Sequence, residues 1–316
     1  MRRLPAFVAV TALAGFGLVG CSASAGASCP TPTADPALSA AISATGDVGT
    51  APTVSLRSPY LPTQTAVDTL VQGDGEKLTQ DGQLALVNVT VMNPVTGETA
   101  IATQYGSDLT KTTSLTALEP DVPGLTAALT CAAEGSRVAV AIPGDQIPAD
   151  KARGLGLAEG SPGVFVVDVR KVFLPAADGP EQFNAGTGMP SVVRAPNGQP
   201  GVSFPQNDAP SDVRTETLKK GDGEVLRADS SAMIHLVGVA WGAKTTFAST
   251  WANGAPGQAT VSSLPPALAS ALEGQTVGSQ VLVVVPSDQT SADQQALKAP
   301  ADKALVYVVD ILGTLN

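Results

Sequence analysis

The apolar residues of this chain fall into short blocks, and the blocks come in two matched sets. Leu84 to Met92 and Ala232 to Trp241 are apolar runs of strand length, rich in β-branched residues. Shorter second strands follow in Ala100 to Thr103 and Thr245 to Ser249. Ser136 to Ile142 and Ser279 to Val285 are again strand-like and stop at Pro143 and Pro286. Gly163 to Val169 and Ala304 to Leu312 close the two sets. A helical period appears once in each. Leu268, Ala271 and Leu272 fall at i, i+3 and i+4, with Ser263 to cap, Pro265 and Pro266 in the first turn and Gly274 at the end. Pro123, Leu125, Ala128 and Leu129 repeat that helix. Each set opens with a Pro-flanked extended stretch, Pro52 to Pro62 or Pro200 to Pro210, before a polar run into a Gly-Asp-Gly turn. The pattern predicts an α+β fold, an antiparallel sheet with one short helix against one face.

The two sets are copies. Thr69, Leu70 and Gly73-Asp74-Gly75-Glu76 reappear at one constant spacing as Thr217, Leu218 and Gly221-Asp222-Gly223-Glu224. Leu125 to Asp150 then lies over Leu268 to Asp293 without a gap, sharing Ala149-Asp150 with Ala292-Asp293. A repeat this long means two whole domains. The expected division is a signal at residues 1–20, a flexible tether at 21–45, domains at 46–176 and 189–316, and a linker at 177–188. Gly179-Pro180, Gly186, Gly188 and Pro190 suggest freedom between the domains.

Arg2 and Arg3, the apolar stretch Leu4 to Leu18, and Leu18-Val19-Gly20-Cys21 resemble a bacterial lipoprotein signal, which implies a lipid on Cys21. The expected location is the extracytoplasmic face of the cell membrane. Of three cysteines, Cys29 and Cys131 then remain as a pair suited to a disulfide. A formal net charge of −10 repels phosphate backbones and argues against nucleic-acid binding.

The order of elements resembles the FKBP-type peptidyl-prolyl cis-trans isomerases. The residues that carry the likeness are the Gly-Asp-Gly turn, Thr246-Phe247-Ala248-Ser249, the Pro-rich helix start, Glu273-Gly274-Gln275-Thr276-Val277-Gly278-Ser279 and the closing strand Leu305 to Leu312. The resemblance implies two FKBP-like domains, each a curved antiparallel sheet wrapped on one short helix. It also implies a pocket for a prolyl ring, with Phe247 and Tyr307 as the catalytic aromatics and Leu236, Leu264, Pro265 and Leu268 lining it. No cofactor or metal is implied. Leu236, Ala248 and Leu268 stand where the family has a tyrosine, an aspartate and a tryptophan. In the first domain Val89, Ile101-Ala102 and Leu125 stand at the matching places, with Val122 and Phe165 as apolar remnants. Phe247, Leu268 and Tyr307 read equally as plain core. His235 reads as structural, and Trp241 and Trp251 either flank the groove or cover a sheet edge.

Two functions follow from this reading. One is a surface-anchored isomerase or foldase acting on X-Pro bonds of exported proteins. The other is an inactive pair of peptide-binding or scaffolding modules. A solute-receptor lipoprotein would show alternating βα units, which this pattern does not.

Overall fold

The computed structural model describes residue 29 and residues 33–106, 111–183 and 186–315. Cys21 and the expected signal lie outside the described residues. The first domain runs through α1 (Pro36–Ala41), β1 (Ile42–Thr45), β2 (Thr53–Leu56), β3 (Ala66–Val71), β4 (Leu84–Met92) and β5 (Thr99–Ala102). It continues through β6 (Thr113–Ser114), α2 (Leu115–Leu118), α3 (Pro123–Leu129), β7 (Arg137–Ile142), α4 (Ala149–Ala152) and β8 (Gly163–Val172). The second comprises β9 (Ser191–Arg194), β10 (Pro200–Ser203), β11 (Arg214–Lys219), β12 (Ser231–Ala240), β13 (Thr246–Ser249) and β14 (Gly257–Thr260). It ends with α5 (Pro266–Leu272), β15 (Gln280–Val285), α6 (Ser291–Leu297) and β16 (Leu305–Thr314).

Each domain holds an antiparallel sheet of the same order, β3-β7-β8-β4-β5 and β11-β15-β16-β12-β13, with β6 or β14 paired to the far end of the long strand. The α+β reading and the two matching antiparallel sheets therefore hold. Helix α3 packs on β7 and α5 on β15. Pro265 itself takes the N-cap position of α5, while the Ser263 hydroxyl donates to the Thr260 carbonyl at 2.7 Å instead of capping.

The expectation of one covered face needs correction. Every residue of β7, β15 and β16 is buried. Continuous burial removes the in-out alternation of a half-exposed sheet, so both faces must be covered. In the first domain α1 and the β1–β2 hairpin supply the second cover: Leu38, Ile42 and Leu56 pack on Met92, Ala139, Ala141, Val164 and Val166. In the second, the β9–β10 hairpin lays Val192, Val202 and Phe204 on Leu282, Val284, Val306 and Val308. Residues 35–45, read as tether, are thus part of the first domain. Asp35 caps α1 through hydrogen bonds from the Ala37 and Leu38 amides at 2.9 Å.

A buried carboxylate on each sheet holds its cover in place. Arg137 donates twice to Asp168, Nε to Oδ1 at 2.6 Å and Nη2 to Oδ2 at 2.7 Å. The same guanidinium donates to the Gly46 and Asp47 carbonyls, and the Gly49 amide donates to Asp168, so the turn between β1 and β2 is pinned. At the equivalent register Gln280 donates to Asp310 at 2.6 Å. Asp310 also accepts the Ala177 amide, and Gln280 accepts Arg194 Nε from β9.

The linker does not run free where it is described. Gly179 N donates to Gly278 O, Gln182 N to Leu218 O, and Lys220 N to Pro180 O. The domains also share a small apolar core of Leu86, Phe173, Met233 and Leu312. Among the described residues no helix is long and apolar enough to cross a membrane.

Cys29 and Cys131 form a disulfide with Cα atoms 5.3 Å apart, closing a sequence separation of 102. Cys131 has φ of 68°, the left-handed position that Gly274 takes at the end of α5 with φ of 80°. In the chain-entropy model a bridge over about 100 residues contributes ~4–5 kcal/mol. A side chain at a left-handed position opposes folding by roughly 1 kcal/mol relative to glycine. Cys29→Ser is therefore expected to lower stability by several kcal/mol. The double variant C29S/C131G is expected to regain about 1 kcal/mol of that loss in urea unfolding. A double variant no more stable than C29S would show that the left-handed cysteine is unstrained.

Candidate functional site

The helix-facing side of the second sheet brings the predicted residues together. Leu236, Leu264, Leu268, Phe247 and Tyr307 belong to one apolar cluster, and Pro265 is buried at the start of α5. β12 and β16 pair Gly238 with Tyr307, and β13 sets Ala248 on the other side of Gly238. The Phe247 and Tyr307 rings meet edge to face, centroids 5.8 Å apart and planes at 84°.

Gly238 makes that ring pair possible. A Cβ there would lie 2.8 Å from Phe247 Cζ and 3.1 Å from Tyr307 Cε1. The first domain solves the same space the other way. Its register sets Val91 opposite Phe165, as Gly238 stands opposite Tyr307. Val91 also pairs with Ile101 as Gly238 pairs with Ala248. Phe247 therefore corresponds to Ala100, one residue before the Ile101 expected from sequence, because both short strands carry a register shift at this point. The second domain has glycine with phenylalanine; the first has valine with alanine. Total volume is roughly exchanged across the pair, and only the second copy keeps an aromatic there.

The six residues differ in what they offer a ligand. Leu268 and Tyr307 are 0 % exposed and Leu236 is 5 % exposed, so they form a closed floor. Phe247 and Leu264 are half-buried and form its accessible part. Phe247 also lines an open depression with Trp241, Ala243 and Pro300.

Tyr307 is held by a partner that sequence reasoning left unassigned. Its hydroxyl donates to Asp293 Oδ1 at 2.8 Å, and Asp293 is 1 % exposed on α6. Burial pushes the Asp293 carboxyl above the usual range, and burial together with the Asp293 hydrogen bond pushes the Tyr307 phenol up as well. In the first domain Phe165 has no hydroxyl, and the matching Asp150 is exposed. The signal for this pair was present in the sequence as a tyrosine-for-phenylalanine difference between aligned strands.

His235 lies on the opposite face of β12, at the junction of the domains. Its ring stacks on Trp251 with centroids 3.8 Å apart, and Nδ1 lies 2.8 Å from Thr250 Oγ1. It borders a cavity of ≈ 150 Å³ whose other lining side chains, including Gln80, Gln83 and Asn197, are uncharged. Burial without a counter-charge lowers its pKa to about 4. Trp251 thus packs at the junction, and Trp241 leans on Phe204 while lining the same depression as Phe247. Among the described residues no three His, Cys, Asp or Glu side chains are grouped to hold a metal ion.

Comparison with known proteins finds a family match within the second domain. Residues 223–312 match the family model of FKBP-type peptidyl-prolyl cis-trans isomerase. A curated FK506-binding protein from Streptomyces anulatus is 26 % identical over 119 residues, which is 36 % of this chain and 96 % of the relative. Among solved structures, the three FKBP domains of wheat FKBP73 align over 79 % of this chain and 94 % of theirs at 13 % identity, with a TM-score of 0.35. FkpA from Escherichia coli aligns over 41 % of this chain and 53 % of its own at 15 % identity, TM-score 0.30. These last two likenesses are too loose to carry residue roles.

Two outcomes follow from the geometry. Gly238→Val alone is expected to overpack the ring pair and destabilise by about 1–3 kcal/mol, and Phe247→Ala alone to open a cavity. G238V/F247A, which copies the first domain, is expected to be more stable than the sum of the two losses by at least ~1 kcal/mol in a double-mutant cycle. Strict additivity would sever the proposed exchange. For His235, the unfolded chain takes up its proton near 6.5 and the folded chain only near 4. Its contribution is complete above the unfolded value and is lost as pH falls from 6.5 toward 4, by roughly 2–3 kcal/mol in all. Wild type minus H235N in urea unfolding should show that loss; parallel pH profiles would mean that His235 protonates freely in the fold.

Proposed function

We propose, from a second domain whose residues 223–312 match the FKBP-type peptidyl-prolyl cis-trans isomerase family model, that this protein binds X-Pro segments of exported proteins and accelerates their isomerisation weakly. The reading rests on Phe247, a half-buried aromatic standing over a closed apolar floor of Leu236, Leu268 and Tyr307. Rotation about an amide bond has a barrier of about 18–20 kcal/mol because resonance is lost in the twisted state. The planar amide is the more polar of the two and is stabilised by water. A dry apolar wall therefore favours the twisted form without a nucleophile or metal. The polar groups that could assist further are missing. Ala248 and Leu236 carry none, and the Tyr307 hydroxyl is tied to Asp293. Rate enhancement in this site comes from desolvation and shape alone.

The setting of the activity is the extracytoplasmic side of a membrane, with a lipid on Cys21 as the anchor. The Cys29–Cys131 disulfide supports it, since such bridges persist in oxidising compartments. The first domain, with Val91 and Ala100 in place of glycine and phenylalanine, acts as the holder in this reading and the second as the binder. A second reading, a peptide-holding module without turnover, is favoured by the full burial of Tyr307 and Leu268.

A protease-coupled assay on a short X-Pro peptide separates them. The full chain is expected to accelerate isomerisation, and Phe247→Ala to cut kcat/KM by at least about tenfold, ~1.4 kcal/mol. Ala100→Gly in the first domain should leave the rate unchanged. No acceleration at high protein concentration removes the enzyme and leaves the holding module.

A further inference from the structure

Phe247 has two sides. One meets Tyr307 and the apolar cluster, and the other faces a depression of ≈ 430 Å³ lined by Ala240, Trp241, Ala243, Thr246, Pro300 and Lys303, among others. Such a volume admits a bulky side chain together with adjoining backbone.

Trp241 is already fixed in the geometry such a cleft needs. Its indole Nε1 donates to the Asn207 carbonyl at 3.3 Å, and its ring leans on Phe204 with centroids 5.4 Å apart. Its backbone amide donates to the Ala304 carbonyl at 2.8 Å, which ties the turn after β12 to the start of β16. With its polar atom satisfied, the half-buried indole presents apolar surface. Being pre-ordered, it gives up little side-chain entropy to a ligand.

Charge narrows the ligand. The two segments that line the depression, 240–247 and 300–303, hold exposed Lys244 and Lys303 against Asp302 alone, on a chain of net charge −10. A local cationic rim on an acidic protein favours carboxylates and disfavours lysine-rich segments. The matching turn of the first domain is Asn93-Pro94-Val95, with no aromatic residue and no lysine, so the feature belongs to the second domain.

We propose that Trp241, Phe247 and Pro300 form a cleft for one bulky apolar side chain on an extended peptide, whose flanking acidic residues are held by Lys244 and Lys303. The cleft adjoins the candidate prolyl site through the shared Phe247. It rests on the reading that the second domain binds peptide, and does not require turnover.

The chain has two tryptophans, so Trp251→Phe leaves Trp241 as the sole reporter. Full-length W251F would be titrated with the capped tripeptides Glu-Phe-Glu, Lys-Phe-Lys and Glu-Ala-Glu while Trp241 emission is followed. The expected result is a saturable change with Glu-Phe-Glu and at least about tenfold weaker binding of the other two. K244E/K303E, both changes on exposed side chains, is expected to reverse the preference between the acidic and basic phenylalanine peptides with an unchanged circular dichroism spectrum. Equal binding of all three peptides, indifference to K244E/K303E, or no response at millimolar peptide would each overturn the proposal. Isomerase activity without peptide response overturns the cleft and leaves the enzyme reading intact; peptide response without activity does the reverse.

Discussion

Both sheets depend on one constraint: strands with no polar face must be covered twice. Apart from Arg137 and Gln280, whose polar groups are paired inside the fold, central strands such as β7 and β15 are apolar throughout, so a helix on one side cannot suffice. A short hairpin ahead of each sheet closes the other face, yet a hairpin of four-residue strands is marginal alone. The fold fixes it through a carboxylate buried in the sheet: Asp168 accepts the Gly49 amide from the first hairpin, and Asp310 accepts from Gln280, whose side chain in turn holds Arg194 of the second. Burying a charge is costly without partners, and the two domains supply them differently. Asp168 has the fork of Arg137. Asp310 has the neutral side-chain amide of Gln280 and the Ala177 backbone amide, and burial pushes its carboxyl above the usual range.

Duplication then allowed one copy to drift from the other while the frame stayed constant. The exchange of Gly238 and Phe247 for Val91 and Ala100 shows how. Either pair stands at the same place between strand and closing strand, a bulky residue facing a small one in both. What changes is chemistry at the surface, because only the second solution leaves an aromatic ring partly open to solvent. Selection for a stable core cannot distinguish the two. A ligand can.

The sequence made the frame legible and left its details unread. The long strands and the helix of each copy appeared as apolar blocks, and the disulfide followed from counting cysteines. Of the covers only β2 and β10 appeared, as Pro-flanked extended stretches, and not their pairing into hairpins over the sheets. Ile42-Ser43-Ala44-Thr45 is short, half polar and joined to a Ser/Ala/Thr/Pro-rich stretch, so its composition is that of a tether. The first-domain counterpart of Phe247 was read one residue late. A bulge between Val91 and Met92 shifts the register, and a shift of one residue moves a side chain to the other face. Asp293 was visible only as part of the internal match. Nothing in its neighbours in the chain announces a partner, because that partner, Tyr307, lies on another element.

That pair joins the core to the function. A phenylalanine at Tyr307 would fill the floor as well, as Phe165 does in the first domain, and would avoid burying a hydroxyl and a carboxylate. The polar pair therefore has to be justified by what it fixes. Asp293 belongs to α6, and the chain that leaves α6 supplies Pro300 and Lys303 to the depression beside Phe247. Tyr307 thus clamps the loop from below while its own ring supports Phe247 from the side. One residue with no exposed surface sets the relative position of the two walls. In the first copy Phe165 has no hydroxyl and Asp150 is exposed, so the equivalent loop has no such clamp, and Ala100 stands where the aromatic wall would be.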